Sequence, residues 1–164
     1  MISVVVDDLA LIPADAIVRT ADETLGPLST AMARLDERAG PRFAEQRRVS
    51  GSLKAGSAVV TGSGDLAAPF VLHLVIQDQE IRTGRDVVRR ALTSAWQRAT
   101  DWELGVIATP LVGAESGQLS LEEAATLLAE TFPVTVTGCP KELRIVVDRD
   151  ADRVLVEATV RRIT

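Results

Sequence analysis

The chain is poor in several residue types, and each shortage removes a class of chemistry. A single cysteine, Cys139, in 164 residues makes an intramolecular disulfide impossible and excludes a cysteine-rich metal site. A single histidine, His73, excludes a histidine metal cluster. Tyrosine is missing, and three Phe and two Trp are the only aromatics, so few rings are available to stack on a base. No stretch approaches the ~18 apolar residues of a membrane helix, and no charged segment precedes an apolar one as in a secretory signal. A cytoplasmic protein with no membrane contact is therefore expected. The net charge of −5 argues against a surface that coats nucleic acid, which needs clustered Lys and Arg. Arginines do gather locally, at Arg34, Arg38, Arg42, Arg47 and Arg48 and again at Arg82, Arg85, Arg89 and Arg90. Both groups read as solvated helix faces.

What remains is ample for folding. Hydrophobic residues make up 46% and charged residues 25%, the balance of a globular chain. The length suits one domain, residues 1–164, with its own core. No linker, repeat or low-complexity segment interrupts it.

Apolar periodicity gives the order of elements. Short β-rich runs fall at 1–6 (MISVVV), 15–19 (DAIVR), 57–61 (SAVVT), 70–76 (FVLHLVI), 104–109 (LGVIAT) and 143–147 (LRIVV). Between them, residues ~29–48 follow a helical period, with Ala31, Met32, Leu35 and Ala39 on one face. Gly40-Pro41 should split this segment in two, since proline suits the first turn of a new helix. Residues 85–100 carry a stripe of Val88, Ala91, Leu92, Ala95 and Ala99. Ser120 and Glu123 form a capping-box pattern at the next helix start. Residues 150–163 read as a closing helix with Val154, Leu155, Ala158 and Ile163 inward, a final strand being the less favoured alternative. Strands alternating with helices point to an α/β sheet covered on both faces. Ligands of such sheets bind beyond the carboxyl ends of the strands.

Several segments together resemble the macro domains, a family of ADP-ribose-binding modules. "VVVDDLALIPADAIVRTAD" is similar to the family's opening, in which one strand ends in G-D-I and the next reads D-A-I-V-N-A-A-N. "AGSAVVTGSGDL" with "FVLHLV" resembles its G-E-A-x-x-T and V-I-H segment. "IATPLVGAESGQLSLEEAA" resembles P-L-L-G-T-G-x-G-G-L, a phosphate loop followed by a helix. The resemblance covers residues 2–130, more weakly the rest. It implies a three-layer α/β/α macro-domain fold with a mixed, roughly six-stranded sheet, and a cleft for ADP-ribose where three loops converge.

Carried over residue by residue, the cleft departs from the family in several places. Asp8 and Leu9 match the carboxylate and aliphatic residue that receive adenine. Arg19, Thr20, Ala21 and Asp22 stand where the family has N-A-A-N, so both amides are lost; Asp22 could accept from a ribose hydroxyl but cannot donate. Arg19, if buried, needs an acidic partner, with Asp22 and Asp15 as candidates. The family's first glycine loop falls on Leu28, Ser29, Thr30, Ala31 and Met32, with no glycine left for close approach to a pyrophosphate. Ser29 and Thr30 suit a helix N-cap and offer a weak anion site; Met32, at the position that serves hydrolysis in some members, reads as core. In the second phosphate loop Gly113 and Gly117 remain, with small Ala114 and Ser116 beside them. Glu115 replaces a glycine there and puts a carboxylate where phosphate would lie. Val147 and Asp148 stand where the family often supplies a stacking ring.

Three functions follow as alternatives. The chain is a divergent macro domain whose ADP-ribose cleft is degenerate and serves another ligand or a protein contact; or it is a working ADP-ribose or nucleotide module; or, less favoured, an ADP-ribosyl hydrolase. No cofactor and no metal are expected, and no catalytic residue is assigned. The partners expected are ADP-ribose or a related nucleotide, held weakly, and a second copy of the chain, with Trp96 and Trp102 as possible contact residues. His73, inside an apolar strand, reads as a satisfied core histidine. Cys139 before Pro140 lacks the setting that lowers a thiol pKa. Asp148, Asp150 and Asp152 read as an acidic helix cap.

Overall fold

The computed structural model describes residues 1–134 and 137–164. Six strands form one mixed sheet: β1 (Ile2–Val6), β2 (Ala16–Ala21), β3 (Ala58–Gly62), β4 (Phe70–Val75), β5 (Val106–Thr109) and β6 (Glu142–Val147). Their spatial order is β1-β6-β5-β2-β4-β3. All neighbours run parallel except β3, which pairs antiparallel with β4 at one edge. The helices are α1 (Thr30–Ala39), α2 (Pro41–Gln46), α3 (Arg85–Asp101), α4 (Leu121–Thr131) and α5 (Asp150–Ile163). None of them is long and apolar enough to cross a membrane.

Alternate residues of the central strands face opposite layers. Ile17 and Val71 join Met32, Leu35, Ala39 and Phe43 of α1 and α2 in one core. Val18, Leu72 and Ile107 join Val88, Leu92, Trp96, Leu128 and Val156 of α3, α4 and α5 in a larger one. The architecture is thus the three-layer α/β/α arrangement that the sequence implies. All six residues of β2 are buried, as expected for a parallel strand covered on both faces.

Local chemistry accounts for the element ends. The Ser29 hydroxyl accepts from the Met32 amide at 3.1 Å and starts α1. Gly40, at φ +86°, ends α1, and Pro41 starts α2 at once. That turn needs a left-handed backbone, which glycine adopts at little cost. The capping box forms: the Ser120 amide donates to the Glu123 carboxylate at 3.1 Å, and the Glu123 amide donates to the Ser120 hydroxyl at 3.0 Å.

Two packing expectations are corrected. Ala31 is exposed, while Met32, Leu35 and Ala39 are buried. On α5 the buried residues are Val156, Thr159 and Val160, and Val154, Leu155, Ala158 and Ile163 face outward. The helix is as expected; its rotation is not. Its sequence carries two apolar stripes, and periodicity alone does not choose between them.

Candidate functional site

A cleft of about 510 Å³ opens at the carboxyl ends of β1, β5 and β6. It is lined by apolar Leu9, Met32, Leu111 and Val147, by Arg34 and Arg38 of α1, and by Asp7, Asp148 and Asp152. Of the candidate ligand-binding residues named from the sequence, Asp8, Leu9, Ala114 and Glu115 border this cleft together. Asp22, Ser29, Thr30, Gly113, Ser116 and Gly117 are not among its lining residues.

At the β1 end, the chain turns at Asp8. One carboxylate oxygen accepts from the Ala10 amide at 2.9 Å, and the other pairs with Arg38. The Arg38 hydrogen bond, then the Ala10 amide, holds the Asp8 carboxyl below its usual range. Both side chains of the pair remain nearly half exposed, 46% for Asp8 and 47% for Arg38. The sequence reading missed Arg38 as a cleft residue. Its signal was the four-residue spacing of Arg34, Arg38 and Arg42, which marks one helix face but not what that face borders.

At the β5 end, the loop 110–119 keeps left-handed glycines, Gly113 at φ +90° and Gly117 at φ +84°. A side chain at Gly113 would meet Leu119 at 2.7 Å, so the glycine there is needed for space as well as backbone freedom. Glu115 folds back into the loop. Its Oε1 accepts from the Thr20 hydroxyl at 2.9 Å and lies 3.4 Å from the Gly113 amide. Its own amide donates to the Leu111 carbonyl at 3.1 Å. Oε2 is buried without a hydrogen-bond partner. The carboxylate therefore sits on the loop's own donors. The Gly117, Gln118 and Leu119 amides are likewise taken, by the Ala114 and Gly113 carbonyls at 3.0 Å.

Between these ends the loop after β2 closes on itself. Asp22 Oδ1 accepts from the Thr24 amide at 2.9 Å, the Thr24 hydroxyl at 2.9 Å and the Gly26 amide at 2.8 Å. This satisfies a turn in which Leu25 takes φ +62°. Leu28 packs against the larger core.

Arg19 leaves the cleft altogether. Fully buried, it points into the α1/α2 layer and grips Asp36 through two bonds of 2.7 Å. This corrects the expected partners: Asp22 holds its own turn, and Asp15 accepts from the Gly105 and Val106 amides at 2.9 and 2.8 Å. Asp36 was missed because it lies on a helix ahead in sequence, and only the fold brings it to β2. A third Arg19 nitrogen contacts His73 Nδ1 at 3.2 Å, His73 being its register neighbour on β4. The Thr61 hydroxyl donates to the Gly62 carbonyl at 2.8 Å and lies 2.7 Å from His73 Nε2. That network assigns the proton to Nε2 and leaves Nδ1 to accept from Arg19. Burial first, then the nearby Arg19 and Arg47 charges, hold His73 well below its usual pKa, so it is neutral.

Among the described residues, no group of three His, Cys, Asp or Glu side chains is placed to hold a metal ion.

Comparisons with known proteins agree with this fold. A mutant of the Oceanobacillus iheyensis macrodomain, solved with ADPR, superposes at a TM-score of 0.80 with 17% identity, over 98% of this chain and 91% of that one. A Trypanosoma brucei macrodomain in complex with ADP superposes at 0.72 with 20% identity, over 90% and 63%. A macro domain-containing protein of Caldanaerobacter subterraneus is 27% identical over 145 residues, 84% of this chain and 83% of the relative. The sequence pattern described as "Macro domain" matches residues 18–128, and the chain belongs to the macro domain family.

Proposed function

We propose that this chain is a macro domain whose phosphate-binding half is occupied by its own side chains, so that ADP-ribose binds weakly or not at all and the cleft serves another ligand or a protein contact. The observation that carries this reading is Glu115, whose carboxylate lies on the Thr20 hydroxyl and the Gly113 amide. A diphosphate brought to the same donors would meet a carboxylate at ~4 Å, an opposition of about 4 kcal/mol per charge pair at an effective dielectric of ~20. Each donor denied to the ligand costs a further ~1–3 kcal/mol. A micromolar affinity is only about 8 kcal/mol, so these terms together remove most of it. Hydrolysis is left out of the reading: Met32 stands at the acidic position and is 2% exposed.

A second reading, a working nucleotide module, draws support from the open end of the cleft. There Asp8 stays half exposed beside Leu9 and Val147. Calorimetric titration with ADP-ribose separates the two. The closed reading expects no saturable heat below roughly 100 µM, an affinity of about 5.5 kcal/mol. A low-micromolar constant at ordinary stoichiometry overturns it, and in that case Asp8→Ala should abolish the binding.

A further inference from the structure

The cleft that Glu115 closes to a diphosphate keeps a charge preference of its own. Five carboxylates line it, from Asp7, Asp8, Glu115, Asp148 and Asp152, against two guanidinium groups, from Arg34 and Arg38. Arg38 is taken by Asp8, so that pair adds little net charge. Arg149, which pairs with Asp152 at 3.0 Å and acts on Asp148 through its charge, is 73% exposed and outside the lining. Asp7, Glu115, Asp148 and Arg34 form no ion pair among the described residues. Three carboxylates therefore stand against one free guanidinium.

Two of the three end neighbouring strands. Asp7 and Asp148 stand one residue beyond the register pair Val6 and Val147, and the Asp7 amide donates to the Val147 carbonyl at 3.3 Å. Like charges on adjacent strands repel, and a cation beside them relieves the repulsion. Glu115 adds the third, with Oε2 buried and without a hydrogen-bond partner; an oxygen in that state calls for an N–H donor. Among the described residues these acids are not grouped to hold a metal ion, so the cation they suit is organic. The lining also includes apolar Leu9, Met32, Leu111 and Val147, which suits a hydrocarbon stem.

We propose that the cleft receives a guanidinium or ammonium group carried on an apolar stem, a ligand of opposite charge to ADP-ribose. The proposal rests on the reading of the phosphate-binding half as closed. With Glu115 in place the cleft keeps its excess of carboxylates, and a cleft focuses the field of the charges that line it.

Calorimetric titration tests it with agmatine, a guanidinium and an ammonium on a short hydrocarbon stem, and with acetyl-Gly-Arg-Gly-amide, the same guanidinium on a peptide. One of the two should bind with a dissociation constant of about 1 mM or tighter. Tighter binding of the peptide assigns the group to a protein side chain, and tighter binding of agmatine to a free small molecule. Asp7→Asn and Asp148→Asn should each weaken the binding about fivefold, the effect of one exposed ion pair, with unchanged thermal melts. Arg34→Gln should tighten it. Glu103→Gln removes the same charge from an exposed position before β5, at the opposite end of the strands, and should change nothing. No heat from either compound, or heat that Glu103→Gln lowers as much as the cleft variants do, overturns the proposal. If ADP-ribose is then silent as well, the closed reading survives alone; if ADP-ribose binds at low micromolar concentration, both fall.

Discussion

Arg19 and Glu115 are two charged residues at positions where the family offers neutral groups to a ligand, and the fold treats them differently. Arg19 turns away from the cleft and is satisfied: Nε and one terminal nitrogen bond Asp36, and the other contacts His73. Glu115 turns into its own loop and is half satisfied, one oxygen bonded and the other buried without a partner. A complete buried network is structural, because removing one member strands the rest. An incomplete one contributes less to the fold, and its removal should leave the fold standing.

Breaking the complete network should have the largest effect. Arg19→Ala removes both 2.7 Å bonds to the Asp36 carboxylate, only 12% exposed, and leaves it only Arg47 at 3.6 Å, and should cost about 3 kcal/mol in urea denaturation. A loss below 1 kcal/mol would make the two sites equivalent after all. Acid provides a milder probe. Neutral His73 is required in the folded state, and its folded pKa lies below the unfolded value of 6.5. The unfolded chain therefore binds the proton first. Stability is full above pH ~6.5 and falls as pH drops below it, by up to about 1.4 kcal/mol per unit. Above pH ~5 the carboxylates with lowered pKa, Asp8, Asp78 and Glu123, contribute little to this slope. His73→Gln should flatten it in chemical melts between pH 7.5 and 5.

The loop after β2 lies between the two cases. Asp22→Ala removes three hydrogen bonds from a half-buried turn and should cost about 1–2 kcal/mol, with no effect on ADP-ribose heat if Asp22 serves only its turn. Smallest in stability is Glu115→Gln, expected within about 1 kcal/mol of the parent, since an amide keeps an acceptor for Thr20 and sheds a charge. Its effect on binding should be the opposite. Removing the carboxylate should raise ADP-ribose affinity at least tenfold, about 1.4 kcal/mol. No gain would count against the proposed exclusion of ADP-ribose by the Glu115 charge.

Much of the architecture was legible in the sequence because it rests on local signals. The Ser120 and Glu123 box, the Gly40-Pro41 break and the largely apolar central strands each announce themselves within a few residues. Asp8, Leu9, Ala114 and Glu115 were legible as neighbours through the resemblance. The rotation of α5 was not, because two apolar stripes compete and only the sheet beneath selects one. Arg38 and Asp36 were missed for a related reason. Each acts on a residue 30 or 17 positions away, and a helix face reads the same in sequence whether it borders water, a cleft or a buried arginine.

The pairing of Arg19 with Asp36 also bears on assembly of the sheet. β2 lies between β4 and β5 and offers nothing but buried positions, so apolar alternation does little to fix its alignment. A slip of one residue against β4 would swing the guanidinium to the opposite layer, into the hydrophobic cluster of Val88, Leu92 and Trp96 and away from Asp36. One charge in the middle of a greasy strand thus works as an alignment key: it rejects the shifted sheet during folding, a task the surrounding valines and isoleucines cannot perform.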